Sequence, residues 1–287
     1  MPRNEEANAV LTSNITVNEG VLTSDGSLSS SSGNFRGLKI IGYGSYKIDE
    51  FVGIDVCERC VYNGIFDGNG KTISGLYFNN NEWNISIFGT INPNGIVKNV
   101  GFIDCYINAT RFVAGICTTN YGCIENCYIT GVINGVDEVA GICHQNYKNI
   151  KNCYVAGNVN AEISPAAIVA SNKESGNVTN CYYLDTTTSN AICYNKGTAT
   201  KVESKTLAKF KSGEVAYILQ GDMAKHVWGQ AIGTDDYPVI GGPKVNYGYT
   251  CTDTELDIKT RYVLKHRDIN TTMDSVHAAM AISQLRR

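Results

Sequence analysis

Residues 113–164 divide into two nearly identical halves, VAGICTTNYGCIENCYITGVINGVDE (113–138) and VAGICHQNYKNIKNCYVAGNVNAEIS (139–164). The second half begins 26 positions after the first. Self-similarity at a fixed period of about 20 to 50 residues is typical of architectures in which one short unit stacks on the next. The repeat therefore predicts a stack of coils.

The same period extends beyond this stretch. Asparagine recurs at intervals of 27, 26 and 28 residues, at Asn99, Asn126, Asn152 and Asn180. A small residue recurs every 26 positions at Gly89, Gly115, Gly141 and Ala167, and a second asparagine set lies at Asn120, Asn146 and Asn172. The register is thus kept over four copies.

The residue types within one copy favour strands. Runs such as GCIENCYITGVI are rich in Ile, Val, Cys and Tyr, are interrupted by Gly and Asn, and lack a helical period. Such a unit cannot close as a sheet by itself, so each coil must pair with the next. We predict an all-β fold, a single-stranded, right-handed parallel β-helix (solenoid) with coils of about 26 residues and a small C-terminal helical cap. Leucine-rich repeats and propeller blades fit the composition and the period less well.

The recurrent asparagines indicate a corner in each coil. In IENCY and IKNCY the Ile and Cys are three residues apart, so both face the core only if the chain bends between them. Asn tolerates the left-handed conformation that such a bend requires. The preceding residues should then stack outside as Lys98, Glu125 and Lys151, and Arg111 should lie over Asp137.

These repeats resemble the GLUG repeats of bacterial surface proteins, with Ala-Gly in place of the usual Gly-Gly pair. Upstream, YNGIFDGNGKTISGLYF is similar to the coil that precedes such repeats, and downstream SGEVAYILQGD with VWGQAIGTDDYPVI is similar to the segment that closes them. The likeness covers roughly residues 8–250. It implies a noncatalytic scaffold or adhesin-like module that lies outside the cell or on its surface.

Four segments are predicted along the chain. They are an N-terminal cap with the first coils (1–56), the β-helix repeats (57–193), a C-terminal capping segment (194–250) and a tail of uncertain order (251–287). Within the third, SKTLAKFKSGEVAYILQG (204–221) predicts one amphipathic helix with Ser204 as N-cap. Its apolar side is predicted to contain Leu207, Phe210, Val215, Ile218 and Leu219.

Composition excludes several classes of partner. The chain has 287 residues and a formal net charge of -3, which gives no electrostatic reason to expect nucleic acid or an anionic membrane. No apolar run of about 18 residues predicts membrane insertion, and residues 1–30 lack the pattern of an export signal. Either the chain is cytosolic or its signal has been removed. We expect a monomer or a part of a longer chain.

Eleven cysteines invite a metal or disulfide interpretation. Cys127, Cys153 and Cys181 share one repeat position and Cys117 and Cys143 share another, where they replace Val or Ile as small apolar residues. Stacked cysteines could in principle form disulfides. Cys57 and Cys60 form one CxxC pair, but a zinc site needs two more ligands with matching spacing. We predict buried free thiols, no metal and no cofactor.

A carbohydrate-active enzyme is the alternative function, because parallel β-helices also host polysaccharide lyases and glycosidases. Glycoside hydrolysis needs two carboxylates about 5 to 9.5 Å apart, and the repeats show no such pair at one repeat position. Asp67 in FDGNG is more simply part of a tight turn. The histidines are scattered, at His144, His226, His266 and His277. We therefore expect no catalytic residues and no enzyme activity.

Tyrosines offer the candidate ligand-binding surface. If Cys127 faces the core, alternation places Tyr128 outside, and Tyr154 and Tyr182 should extend it into a stripe. Tyr121 and Tyr147 form a shorter second pair on a turn. Aromatic stripes rimmed by Asn and Thr stack on sugar rings, although large residues also cover a solenoid's own edges. The expected partner is a glycan or a host surface protein, and a purely structural spacer of a larger surface protein is the remaining alternative.

Overall fold

A computed structural model of the protein describes residues 7–37 and 61–249, together with the strands at 47–48, 55–56 and 261–264. The chain forms two compact units, Met1–Thr206 and Leu207–Arg287. The four segments predicted from the sequence stay a prediction. Cys57 and Cys60, and most of the predicted tail, lie outside the described residues.

The described part of the first unit contains strands of 2 to 18 residues and the 3-10 helix η1 (Ser30–Asn34). The strands before the central repeats are β1 (Ala9–Val10), β2 (Ile15–Thr16), β3 (Lys47–Ile48), β4 (Asp55–Val56), β5 (Val61–Tyr62), β6 (Ile65–Ser74), β7 (Tyr77–Asn79), β8 (Phe88–Ile91) and β9 (Ile96–Asn108). The strands that follow are β10 (Arg111–Ala114), β11 (Cys117–Asn120), β12 (Cys123–Ala140), β13 (Cys143–Asn146), β14 (Asn149–Lys151), β15 (Tyr154–Ala166), β16 (Val169–Asn172), β17 (Asn177–Leu184), β18 (Ile192–Asn195) and β19 (Thr198–Lys205).

Most of these strands form two large parallel sheets, whereas β3 and β4 form a separate antiparallel pair. The first has the order β1-β6-β9-β12-β14-β17-β15 with four further strands paired to it, and the second has the order β18-β16-β13-β11-β8-β5. The central coils pair with their equivalents 26 residues on, as in Cys117 with Cys143 and Val113 with Val139. The predicted all-β parallel solenoid is therefore confirmed, and its right-handedness stays a prediction.

The core is a set of columns in which one repeat position contributes a side chain from every coil. One column contains Val100, Cys127, Cys153 and Cys181, and another contains Val97, Ile124, Ile150 and Val178, all with no exposed surface. Cys117 and Cys143 lie in register in the second sheet and are equally buried. The eight cysteines among the described residues are free thiols. Cysteine thus acts in these columns as a small apolar side chain, as predicted.

The asparagine corner is also confirmed. Asn99, Asn126, Asn152 and Asn180 have φ angles of 54°, 52°, 54° and 54°. Their side-chain amides form a continuous chain of hydrogen bonds, in which Asn126 donates to Asn99 (3.0 Å), Asn152 to Asn126 (3.2 Å) and Asn180 to Asn152 (2.9 Å). We call this set the asparagine corner ladder. Each member supplies both the left-handed backbone and the bond that fixes the next coil.

The predicted surface charges pair along the stack. Lys151 contacts Glu125 at 2.6 Å, and Glu125 lies in register with Lys98, whose ammonium contacts Asp67 at 3.5 Å. Arg111 lies in register with Asp137 and forms an ion pair with it. Exposed pairs of this kind contribute about 0.2–1 kcal/mol each.

The second unit contains two short helices, α1 (Leu207–Lys211) and α2 (Glu214–Gln220), instead of the single predicted helix. The break lies at Gly213, whose φ of 81° is outside the helical region. Ser204 is not an N-cap, because it belongs to β19 and pairs with Tyr183 of β17. Phe210, Val215 and Leu219 are fully buried, whereas Leu207, expected on the same side, is exposed.

The described part of this unit also contains four short strands, β20 (Trp228–Gly229), β21 (Val239–Ile240), β22 (Asn246–Tyr249) and β23 (Arg261–Leu264). They form two antiparallel pairs, β20 with β21 and β22 with β23. Neither helix of this unit, nor any other helix in the part of the chain that the structure describes, has the length and apolar character needed to cross a membrane.

Candidate functional site

The predicted stripe of Tyr128, Tyr154 and Tyr182 exists but is not exposed. The rings of Tyr128 and Tyr154 stack with centroids 4.8 Å apart and planes 8° apart, and Tyr154 lies in register with Tyr182. Only 6%, 0% and 3% of their surfaces are exposed. The expectation that these three rings face solvent is therefore wrong.

The burial has a local cause that alternation alone does not reveal. The Tyr128 ring occupies the space in front of Gly101 in the preceding coil, so close that a Cβ there would lie 2.1 Å from a ring atom. The Tyr182 hydroxyl donates to the Asn180 side chain at 2.7 Å, and the Lys205 ammonium lies 5.5 Å from the ring centre. These three tyrosines pack against the solenoid. They therefore cover its coils, which was the alternative to sugar binding for the tyrosine stripe.

The second tyrosine pair is accessible. Tyr121 and Tyr147 follow β11 and β13 at the same corner, and their rings stack with centroids 4.6 Å apart and planes 25° apart. Tyr121 has 40% of its surface exposed and Tyr147 is half-buried. The Tyr147 hydroxyl donates to Gln145 Oε1 at 3.4 Å. Because the rings stack on each other, each has one face covered by the other ring.

Lysines continue this corner in the next coils. Asn120, Asn146, Asn172 and Asn195 are in register, so the residues that follow them, Tyr121, Tyr147, Lys173 and Lys196, form one column. The backbone confirms the alignment, since Tyr147, Lys173 and Lys196 each donate their amide to an asparagine carbonyl of the preceding coil. We call these four residues the tyrosine–lysine column.

Buried asparagines hold this column in place. Asn120 donates to Asn146 at 2.8 Å, Asn146 to Asn172 at 2.9 Å, and Asn172 to Asn195 at 2.9 Å. Asn120, Asn146 and Asn172 have no exposed surface. A second asparagine ladder therefore lies directly beneath the column and fixes its backbone.

A separate group of side chains lies at another corner of the solenoid. Here His144 Nε2 lies 2.6 Å from Glu138 Oε2, and the His144 ring stacks on Phe112 with centroids 4.8 Å apart. The Arg111 guanidinium lies 5.1 Å from the Phe112 ring centre and 5.7 Å from that of Trp83, which is 46% exposed. We call Trp83, Arg111, Phe112, Glu138 and His144 the corner cluster.

The chemistry of the corner cluster depends on the contact between Glu138 and His144. The hydrogen bond to His144 lowers the pKa of the Glu138 carboxyl, and the positive charges of Lys173 and Arg111 act in the same direction. The His144 side chain is only 4% exposed. No group of three or more potential metal ligands lies within the ranges that the structure describes. The cluster thus offers one carboxylate and one imidazole beside an exposed indole.

Sequence reasoning missed this cluster because its members are brought together by a corner without a turn signal. Phe112, Glu138 and Ser164 occupy equivalent positions and have φ angles of 57°, 50° and 57°. Neither glycine nor asparagine marks these positions, although such residues usually do. The 26-residue alignment itself was the available signal, since it places Glu138 beside the predicted Arg111 and Asp137 pair.

Asp67 has structural partners. Its carboxylate accepts hydrogen bonds from the Asn99 side chain at 3.0 Å and from the Asn69 amide at 2.8 Å, and these bonds help to lower its pKa. The FDGNG stretch lies within β6, where the register with β9 shifts between Asp67 and Lys71. Asn69 and Gly70 have φ angles of 49° and 76°, so the predicted turn occurs as a bulge within a long strand.

Comparisons with known proteins give limited matches. No family model matches the chain. Over 69 residues it is 36% identical to a protein of Evansella cellulosilytica named "Putative Gly-rich membrane protein", and the match spans 23% of this chain and 8% of that protein. It is also similar to the crystal structure of "a putative immunoglobulin A1 protease" from Bacteroides ovatus, with 16% identity, a TM-score of 0.44 and coverage of 82% of this chain and 86% of that one.

Proposed function

We propose that the protein is a noncatalytic scaffold of the cell surface or extracellular space that binds a glycan through Tyr121 and Tyr147. The observation that carries this proposal is the exposed, stacked tyrosine pair on a corner whose backbone is fixed by buried asparagines. Tyr offers an apolar ring and a hydroxyl together, which suits the apolar faces and hydroxyl groups of sugars.

The solenoid supports the scaffold part of the proposal. Its polar side chains are largely used to join one coil to the next, as in the two asparagine ladders and the Lys151–Glu125 pair. Preorganised side chains lose little conformational freedom on binding. The resemblance of the repeats to GLUG repeats supports the proposed location. On this proposal the chain acts as a monomer or as part of a longer surface protein.

Glycan-array binding of the whole chain tests the proposal. The Tyr121→Ala/Tyr147→Ala variant should lose binding while its circular dichroism stays unchanged, because Tyr121 is exposed and Tyr147 half-buried. Trp83→Ala is the matched control, since Trp83 is an exposed aromatic residue at another corner. Loss of binding in the control but not in the tyrosine variant would move the site to the corner cluster. No binding by the parent chain would favour the purely structural spacer.

A carbohydrate-active enzyme is the second candidate, and the contact between Glu138 and His144 favours it. A carboxylate and an imidazole within hydrogen-bond distance are a common acid–base pair. Release of reducing ends from polysaccharides, abolished by Glu138→Gln and retained in Tyr121→Ala/Tyr147→Ala, would support an enzyme and contradict the noncatalytic proposal.

A further inference from the structure

We propose that the tyrosine–lysine column binds an acidic polysaccharide, a chain whose sugar rings carry carboxylate or sulfate groups. This inference rests on the proposed function and names the class of glycan. It is carried by the sequence of side chains along one corner of the stack, two tyrosines followed by two lysines in consecutive coils.

The lysines of this corner form no ion pair among the described residues, although the charge of Lys173 acts on Glu138. Lys173 and Lys196 belong to the column, and the exposed Lys148 follows Tyr147 directly. None of the three belongs to an ion pair among the described residues. By contrast, Lys98 and Lys151 of the same solenoid pair with carboxylates of neighbouring coils. The corner therefore carries three lysines in neighbouring coils whose charge no ion pair of the described residues neutralises.

The spacing makes these charges act together. Neighbouring coils of a β-solenoid are about 4.8 Å apart, and the screening length at physiological ionic strength is about 8 Å. The potentials of Lys148, Lys173 and Lys196 consequently overlap along the corner. Glu174, exposed in the same turn as Lys173, offsets part of this charge. Glu138, on which Lys173 acts, offsets a further part, so three lysines face two carboxylates and leave a positive excess that suits a polymer with regularly spaced anions.

The tyrosines give the column a preference for sugars over other anions. Burial raises the pKa of Tyr147, so its hydroxyl stays protonated, and because its hydrogen is donated to Gln145, its oxygen can accept a hydrogen bond from a sugar hydroxyl. The rings of Tyr121 and Tyr147 offer apolar contact at the end of the column opposite Lys173 and Lys196. Nucleic acid is the less favoured polyanion, because the chain as a whole carries a net charge of -3.

The test is titration calorimetry of the whole chain with two matched hexasaccharides, one of uronic acid and one of the corresponding neutral hexose. We expect the acidic ligand to bind more tightly and to lose affinity as salt is added. Lys148→Gln/Lys173→Gln/Lys196→Gln should weaken its binding roughly tenfold, as expected for three exposed ion pairs. Glu174→Gln should strengthen it, because that substitution removes the opposing charge.

Lys201→Gln/Lys225→Gln/Lys244→Gln is the matched control. It changes the net charge by the same amount, and its three lysines are exposed and belong to no ion pair among the described residues. An equal loss of affinity in both triple variants would overturn the inference, since the effect would then arise from net charge alone. Single-stranded DNA or anionic vesicles that bind as tightly as the uronic acid ligand would overturn it too.

The outcomes also separate this inference from the proposed function. If both hexasaccharides bind equally, lose binding in Tyr121→Ala/Tyr147→Ala and are unaffected by the column lysines, glycan binding stands and its acidic preference is wrong. If neither hexasaccharide binds at any salt concentration and the glycan array is also negative, both proposals fall. A sulfated hexasaccharide that binds in place of the uronic acid one would support the inference and identify the source of the anion.

Discussion

At the residue scale, each asparagine of the corner ladder does two things at once. Asn126 adopts a φ of 52°, and its side chain both donates to Asn99 and accepts from Asn152. It is only 8% exposed, so both hydrogen bonds are shielded from water. Substitutions at this position should therefore separate the cost of the backbone conformation from the cost of the lost bonds.

We predict that Asn126→Ala destabilises the protein by about 2–3 kcal/mol, because it loses two hydrogen bonds and places Cβ in a left-handed conformation. Asn126→Gly loses the same bonds but tolerates the conformation, so it should cost about 1 kcal/mol less. Urea denaturation of both variants measures the difference. A glycine variant less stable than the alanine variant would show that the left-handed corner is not maintained in solution.

The contact between Glu138 and His144 predicts a pH dependence of stability. The pKa of Glu138 is lowered in the folded protein, first by the hydrogen bond to His144 and then by the charges of His144, Lys173 and Arg111. Because the pKa is lower in the folded state, ionised Glu138 stabilises the fold at pH values above its ordinary pKa of 4.5. This stabilisation is lost as the pH falls through the lowered pKa of the folded state. The free energy of unfolding should thus decrease in acid.

Glu138→Gln removes this titration. The stability difference between the parent protein and the variant should be largest at about pH 7 and should shrink below about pH 4.5. The urea midpoint measured across this range gives the answer, with Glu174→Gln as the control because Glu174 is exposed and belongs to no ion pair among the described residues. A difference that stays constant with pH would contradict the prediction.

At the element scale, one carboxylate ties the N-terminal segment to a central strand. Asp104 of β9 accepts hydrogen bonds from the Val21 and Leu22 amides, both at 2.9 Å. Val21 is fully buried, whereas neighbouring residues of its loop are exposed. Two charge-assisted bonds from a long strand can order a segment that has little regular structure of its own.

Asp104→Ala should therefore release this segment while leaving the repeats folded. Hydrogen exchange at Val21 and Leu22 should become faster by roughly tenfold or more, as two hydrogen bonds to a carboxylate are lost. The amides of β12 and β15 should keep their protection. Asp25→Ala, which removes an exposed carboxylate bonded only within its own loop, is the control and should leave both sets unchanged. Equally faster hydrogen exchange at Val21 and Leu22 in both variants would contradict the prediction that Asp104 holds this segment on β9.

The strands and the asparagine corner could be predicted from the sequence because the repeat gives the equivalent residues of every coil the same environment. Cysteines at one repeat position, Cys127, Cys153 and Cys181, must all face the same side of the coil. The asparagine before each of them must then adopt the same left-handed conformation. Alternation, however, states only which side a residue faces. It could not show that the backbone at Gly101 makes room for Tyr128, nor that Glu138 turns the chain without a glycine or asparagine.

On the scale of the whole solenoid unit, the buried columns couple the coils. Cys127, Cys153 and Cys181 have no exposed surface, and each packs against the equivalent side chains above and below it. Burial raises the pKa of the Cys153 and Cys181 thiols, which suppresses the thiolate that reacts with alkylating agents. Their reactivity consequently reports the opening of the stack.

We predict that, among the eight cysteines that the structure describes, alkylation of the folded protein modifies Cys123 and Cys193 first, because these two are only partly buried. The three column cysteines should stay unmodified until the urea concentration reaches the unfolding midpoint and should then react together, since each coil is stabilised mainly by its neighbours. Mass spectrometry of the labelled peptides gives the order. If Cys181 reacts well before Cys127 at low urea, the stack opens coil by coil from one end, and the asparagine and cysteine columns do not join the coils into one cooperative unit.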